Sequence, residues 1–184
     1  MKSDDKYQKE KNRMEDMRQV YSLIFIAANK LQAEVDHDLE ELTSRQLMLL
    51  MAIAHCEPEE ATIMNISAML GVTKQNSTRM VQTLCKKGIL ISNASEIDKR
   101  SVNIQLTEKG KSLLEENIPK GYAYFLKIFK DFSASEITAF RHFMEKLCDY
   151  DDRKQVHLEK PLKAQLDIDE QKIKLIYEKR NTEN

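Results

Sequence analysis

Glycine and proline are scarce in this 184-residue chain, four and three respectively, which argues against the turn-rich sandwiches and barrels of sheet proteins. Cysteine is scarce too. Cys56, Cys85 and Cys148 are odd in number, widely spaced and flanked by apolar residues, so they read as small buried hydrophobes in a reducing cytoplasm rather than as a disulfide framework. No apolar run is long enough to span a bilayer. The first residues, Met1 to Asp16, are dominated by Lys, Asp and Glu and make neither a secretory signal nor a membrane anchor. Missing as well are a glycine-rich phosphate loop, a nucleophile motif and a His-rich metal pair, so neither an enzyme nor a bound cofactor is expected. Asp36-His37-Asp38 and His55-Cys56 contain metal-ligand types without the repeated spacing of a metal site, and read as solvated or helix-end groups.

What is present favours helices. Nine methionines and periodic stretches of Leu, Ile, Lys and Glu accompany a hydrophobic content of 41%, enough to bury one or two ordinary cores without a covalent staple. The net charge of −1 hides a strong asymmetry. From Gly71 to Lys111, Lys74, Arg79, Lys86, Lys87, Lys99, Arg100, Lys109 and Lys111 face only Glu96, Asp98 and Glu108, eight against three, or +5. From Leu31 to Glu60, eight acidic residues face Arg45 alone, or −7. A basic module on an acidic body is the electrostatic footprint of a chain that meets nucleic acid on one side.

Met17, Tyr21, Ile24, Ala28, Leu31 and Val35 recur at heptad-like spacing and predict one long helix from about Asp16 to Asp38 whose apolar stripe needs a partner. Thr43-Ser44-Arg45-Gln46 is a capping box for a short helix, Gln46 to His55. Thr62 caps a second short helix, which stops at Gly71, and Thr73 caps the next almost at once. This is the spacing of a helix-turn-helix. Ile89-Leu90-Ile91 and the alternating Val102 to Leu106 predict a hairpin with its tip from Asn93 to Ser101. Thr107 caps a following helix, expected to be interrupted near Pro119. Ser133-Ala134-Ser135-Glu136 opens another, with Ile137, Phe140, Met144 and Leu147 in register. Beyond Asp152 the charged tail regains periodicity only at Ile168, Ile173 and Ile176, and reads as either an appended helix or a mobile arm.

On the Thr73 to Lys87 helix, Ser77, Val81 and Leu84 face inward with Met80 beside them. Gln75, Asn76, Arg79, Gln82, Thr83 and Lys86 face outward. Amides can pair with adenine and guanidinium groups with guanine in a major groove, which suits Gln75, Asn76 and Arg79 near the helix start. Thr73 and Lys74 suit a phosphate at the helix terminus. Such a face also occurs on ordinary solvated helices, and the hairpin tip is what separates the two readings. Arg100 can enter a narrow minor groove, Lys99 lies near the phosphates, and Asp98 can orient Arg100 or Arg79.

The run Leu70-Gly71-Val72-Thr73, Ser77-Thr78-Arg79-Met80-Val81, Leu84, Lys87-Gly88 and Asp98-Lys99-Arg100-Ser101, followed by Leu106-Thr107-Glu108-Lys109-Gly110, resembles the MarR family of bacterial transcription regulators. The looser resemblance extends from about Met17 to Asp152. It implies a mainly α fold with a small β-hairpin wing and a helical dimerisation platform. The corresponding division is 1–40 for the first platform helix, 41–111 for the winged helix-turn-helix, 112–152 for the closing platform helices and 153–184 for a charged extension. It further implies a homodimer on a palindromic double-stranded operator, usually acting as a repressor released by a small ligand or by oxidation, with Thr78 joining the DNA-facing residues. A pocket between lobe and platform is implied too, with Tyr21, Leu49 and Ile53 as its candidates. The alternative reading is a winged-helix protein-interaction module without sequence-specific DNA binding.

Overall fold

The computed structural model describes residues 2–94, 102–149, 162 and 166–182. The chain divides into a first unit, Met1–Gln46, and a second, Leu47–Asn184.

The first unit is dominated by α1, Lys2–Asp38. The helix starts fourteen residues before the position set by apolar periodicity, because periodicity detects only the stripe that seeks a partner. Its first turns are built from strong helix formers and joined by ion pairs three residues apart, Glu10 with Arg13 at 3.2 Å and Glu15 with Arg18. Arg18 hydrogen-bonds the Glu15 carboxylate and holds it below its ordinary titration range. The Thr43 capping box forms as expected. The Thr43 hydroxyl accepts from the Gln46 amide at 3.3 Å, while the Gln46 side chain accepts from the Thr43 N–H at 3.1 Å. These bonds start α2, Ser44–His55, which ends before Glu57-Pro58.

In the second unit, α3 (Ile63–Met69) and α4 (Lys74–Lys86) make the helix-turn-helix. Both begin on a threonine: Thr62 accepts from the Asn65 N–H and Thr73 from the Asn76 N–H, each at 3.2 Å. Gly71, at φ 62°, takes the left-handed conformation that closes α3. The amides of Gly71 and Val72 return to the carbonyls of Ala68 and Ser67 at 3.2 and 3.0 Å. The same pair of bonds ends α4, from Gly88 to Cys85 and from Ile89 to Leu84.

Strands β1, Leu90–Ala94, and β2, Val102–Leu106, pair antiparallel, with Leu90 opposite Leu106 and Ala94 opposite Val102. Asn93 pairs with Asn103, so the ladder extends past the expected start of the tip. A single bridge from Thr62 to Asn103, with the Ile104 N–H donating to the Ala61 carbonyl at 2.8 Å, pins the hairpin to the start of α3. Ile66, Leu84, Ile89, Ile104 and Leu114 are fully buried at the centre of this module.

The helix α5, Glu108–Ile128, is continuous through Pro119, against the expected interruption. Pro119 itself is fully buried, and neighbouring Asn117 donates its side-chain amide to the Leu113 carbonyl at 2.8 Å. Burial of the proline ring offsets the lost main-chain bond. After it, α6, Ala134–Cys148, starts on the expected Ser133–Glu136 capping box. The charged tail resolves in favour of a helix at its end, α7, Glu170–Thr182, packed on α5.

Candidate nucleic-acid interface

The exposed face of α4 follows from how its opposite face is buried. Ser77, Val81 and Leu84 are buried against the module, with Met80 half-buried beside them, as the helical period predicts. Gln75, Asn76, Arg79, Gln82, Thr83 and Lys86 are all left exposed. Thr78 is half-buried, and its hydroxyl donates to the Lys74 carbonyl at 2.8 Å; the Thr83 hydroxyl donates to the Arg79 carbonyl at 2.9 Å. Those two hydroxyls therefore serve the helix itself, while the amides and the guanidinium project from it. At the N-terminal end the Thr73 hydroxyl is already an acceptor for Asn76, and Lys74 is exposed beside it.

The hairpin is aimed by bonds that the sequence did not reveal. The Thr107 hydroxyl accepts from the Gly110 N–H at 3.1 Å to cap α5, and lies 2.7 Å from the Gly88 carbonyl and 3.0 Å from that of Ile89. One hydroxyl thus joins the end of α4, the start of β1 and the first turn of α5. Gly110 completes the joint: a Cβ there would sit 2.4 Å from the Ile89 carbonyl oxygen, so only glycine lets α5 approach this closely. The Leu-Thr-x-x-Gly pattern was legible as a motif, and its physical meaning is this contact. The Thr62–Asn103 bridge had no sequence signal, since one paired residue leaves no period to detect. Asp98, Lys99 and Arg100 lie outside the described residues; in sequence they fall in the connection between Ala94 and Val102, the last pair of the ladder.

Residues 30–117 match the family model for the transcriptional regulator SarA/Rot. The HTH-type transcriptional regulator SarZ of Staphylococcus aureus is 27% identical over 145 residues, covering 74% of this chain and 94% of SarZ. Over these residues the chain is similar to transcriptional regulators of the SarA type. Solved structures agree on the fold. A MarR/EmrR family regulator from Acinetobacter sp. ADP1 superposes with a TM-score of 0.64 at 22% identity, covering 71% of this chain and 92% of that one. A mutant MarR from E. coli, solved with operator DNA, gives 0.63 at 23% identity, covering 72% and 95%. The mainly α winged helix-turn-helix expected from the sequence is therefore the observed fold.

Other candidate positions sort by burial. Leu49 and Ile53 are core side chains, 0% and 5% exposed, whereas Tyr21 on α1 is 66% exposed and packs at a tilt of 57° against Phe25, with ring centroids 5.0 Å apart. Cys56 is buried as expected, its thiol 3.5 Å from the Met69 sulfur, and burial with a further push from Glu60 raises it to about 11. It is therefore a protonated core group at neutral pH. Cys85 is half-buried, but Cys148 is exposed, against the expectation of three buried thiols. Apolar neighbours in sequence signalled burial, yet at Cys148 those neighbours belong to a helix with no buried residue. Asp36 accepts from the Ser44 N–H, and the His55 ring donates from Nδ1 to the Met51 carbonyl at 2.8 Å, so both have helix-end roles. Among the described residues no helix is long and apolar enough to cross a membrane.

Proposed function

We propose that this regulator is a cytoplasmic homodimer that binds a palindromic operator in double-stranded DNA and acts as a repressor released by a small ligand. The observation that carries the DNA reading is the polar face of α4, where Gln75, Asn76, Arg79, Gln82 and Lys86 are exposed together on a helix anchored by buried Val81 and Leu84. Arg79, Gln75 and Asn76 read base edges in the major groove, while Thr73 and Lys74 meet a phosphate. The tip carries Arg100 into the adjacent minor groove, with Lys99 on the backbone and Asp98 orienting an arginine. Support for the dimer comes from apolar side chains left uncovered: Met17, Tyr21 and Leu31 on α1, and Ile137, Phe140, Phe143 and Leu147 on α6, are all exposed. On this reading residues 1–40 and 112–152 form the platform and 41–111 the reading head. An effector acts by changing the spacing of two α4 helices that address half-sites about 34 Å apart.

Duplex titration across salt concentration tests it. Each phosphate contact contributes roughly −0.9 to the slope of log affinity against log salt, whereas a winged module that binds only protein gives no such slope. Arg79→Ala is expected to cost about 1–3 kcal/mol of duplex binding and to relax base preference. Arg100→Ala weakens binding with the dimer intact. Parental affinity in both variants sinks the assignment.

A further inference from the structure

A weak point lies in the middle of α5. Pro119 has no N–H to offer the Glu115 carbonyl, so one bond of the main-chain ladder is missing there although the helix runs on, and a proline inside a helix is a preferred point of bending. The C-terminal segment of the chain grips α5 on both sides of that point. Before it, the Asp167 N–H donates to Glu115 Oε1 at 2.7 Å, a contact between residues 52 positions apart. After it, the Tyr177 ring packs against Tyr122 with centroids 6.3 Å apart. Between the two anchors, Glu116 is held below its ordinary titration range by its hydrogen bond to Lys120, with Lys172 on α7 adding a smaller pull.

At 13 residues α7 is at the margin of what forms a helix alone in water, so its helicity depends on this docking. The N-terminal end of α5 is meanwhile locked to α4 and the hairpin through Thr107 and through Gly110 against Ile89. One half of α5 therefore moves with the reading helix, and the other half continues to Ile128.

We propose that residues 166–182 are a splint across the Pro119 hinge of α5, and that docking of α7 fixes the α4–hairpin module relative to the second half of α5. Undocking releases the hinge and lowers the fraction of molecules in the orientation that reads DNA. Only this last consequence rests on the DNA-binding reading.

The experiment measures amide hydrogen exchange in the full chain at residues 120–124, just past the hinge, together with duplex affinity. Tyr177→Ala removes a surface anchor without touching the core. It is expected to speed exchange there about tenfold and to weaken duplex binding about threefold, while β1 and β2 exchange as in the parent. Tyr177→Phe keeps the ring pair and behaves as the parent. On a Pro119→Ala background the ladder is complete, and Tyr177→Ala then has no effect on residues 120–124. Unchanged exchange in Tyr177→Ala overturns the splint, as does an equal effect with and without Pro119. A parent chain that ignores duplex DNA overturns the proposed function instead, and leaves the exchange result to decide the splint.

Discussion

The module from Ala61 to Leu114 and the helix α6 treat apolar side chains in opposite ways. Within the module, Ile66, Leu84, Ile89 and Ile104 are 0% exposed, and the described connections are held by caps and strand pairs. Along α6 no residue is buried, and Phe143 is 66% exposed, although the helix has an equally sound capping box. Local bonds can thus start a helix without telling it what to pack against. The module is complete in one chain, whereas α6 has an apolar face awaiting cover, and α1 shares that property with Met14, Met17 and Phe25 at 65%, 58% and 56% exposed. Burying one such side chain fully is worth about 1.5–3 kcal/mol, which is the driving force that the proposed dimer would draw on against the cost of association.

If the module is self-sufficient, its joints should fail within the monomer. Gly110→Ala is the most severe test, because the new Cβ meets main chain at Ile89, which has no rotamer by which to yield. Separating α5 from β1 enough to admit a methyl group is expected to cost about 3 kcal/mol, read as a lower urea midpoint at any protein concentration. Parental stability would mean that the close approach of α5 to Ile89 is not what fastens the module.

The opposite outcome is expected on α6. Phe143→Ser removes an exposed side chain, so the intrinsic stability of the chain should be unaffected while the dissociation constant of the proposed dimer rises about tenfold, or about 1.4 kcal/mol, in sedimentation equilibrium. At concentrations between the two dissociation constants the thermal midpoint should then lie below that of the parent. If Phe143→Ser lowers the urea midpoint of the monomer as Gly110→Ala does, the contrast between the two regions collapses.

How much of this was legible in sequence depended on the range of the interactions involved. Thr62, Thr73, Thr107 and Ser133 were readable as caps because a cap is satisfied within three residues, and Ser77, Val81 and Leu84 were readable as an inward face because one helix supplies the whole period. The exposed α4 face of Gln75, Asn76, Arg79, Gln82 and Lys86 came with that period. Where the partner is remote the pattern went silent. The early start of α1 rests on charge pairs rather than apolar period, the continuity of α5 on burial of Pro119, and the helicity of α7 on Glu115 and Tyr122, more than fifty residues away.

A gentler probe of the module uses alkaline pH. Burial raises the Cys56 thiol from 9.0 to about 11, so between these values the unfolded chain loses a proton that the folded chain retains. Stability is therefore unaffected below 9.0, falls as pH rises towards 11, and levels off above it. Subtracting the pH profile of Cys56→Ala from that of the parent isolates this thiol. No difference between the two profiles over that window would show that the core around Cys56 and Met69 admits water.

The smallest effect is expected at the start of α6 and has the opposite sign in pH. The Glu136 carboxylate accepts from both the Ser133 hydroxyl, at 2.7 Å, and the Ser133 N–H, at 2.8 Å, and these bonds hold it below its ordinary value of 4.5. Its contribution is complete above 4.5 and is lost as pH falls through the lower folded-state value. Because the group is fully exposed, the loss should appear as fraying of the first turn of α6 and not as global unfolding. Exchange of the Glu136 and Ile137 amides, corrected for intrinsic rate, should speed up below that range in the parent but remain flat in Glu136→Gln, which keeps an acceptor without a titrating proton. Fraying that spreads into Ile104 or Leu84 would show α6 to be structurally coupled to the module, and the division between the two regions would have to be redrawn.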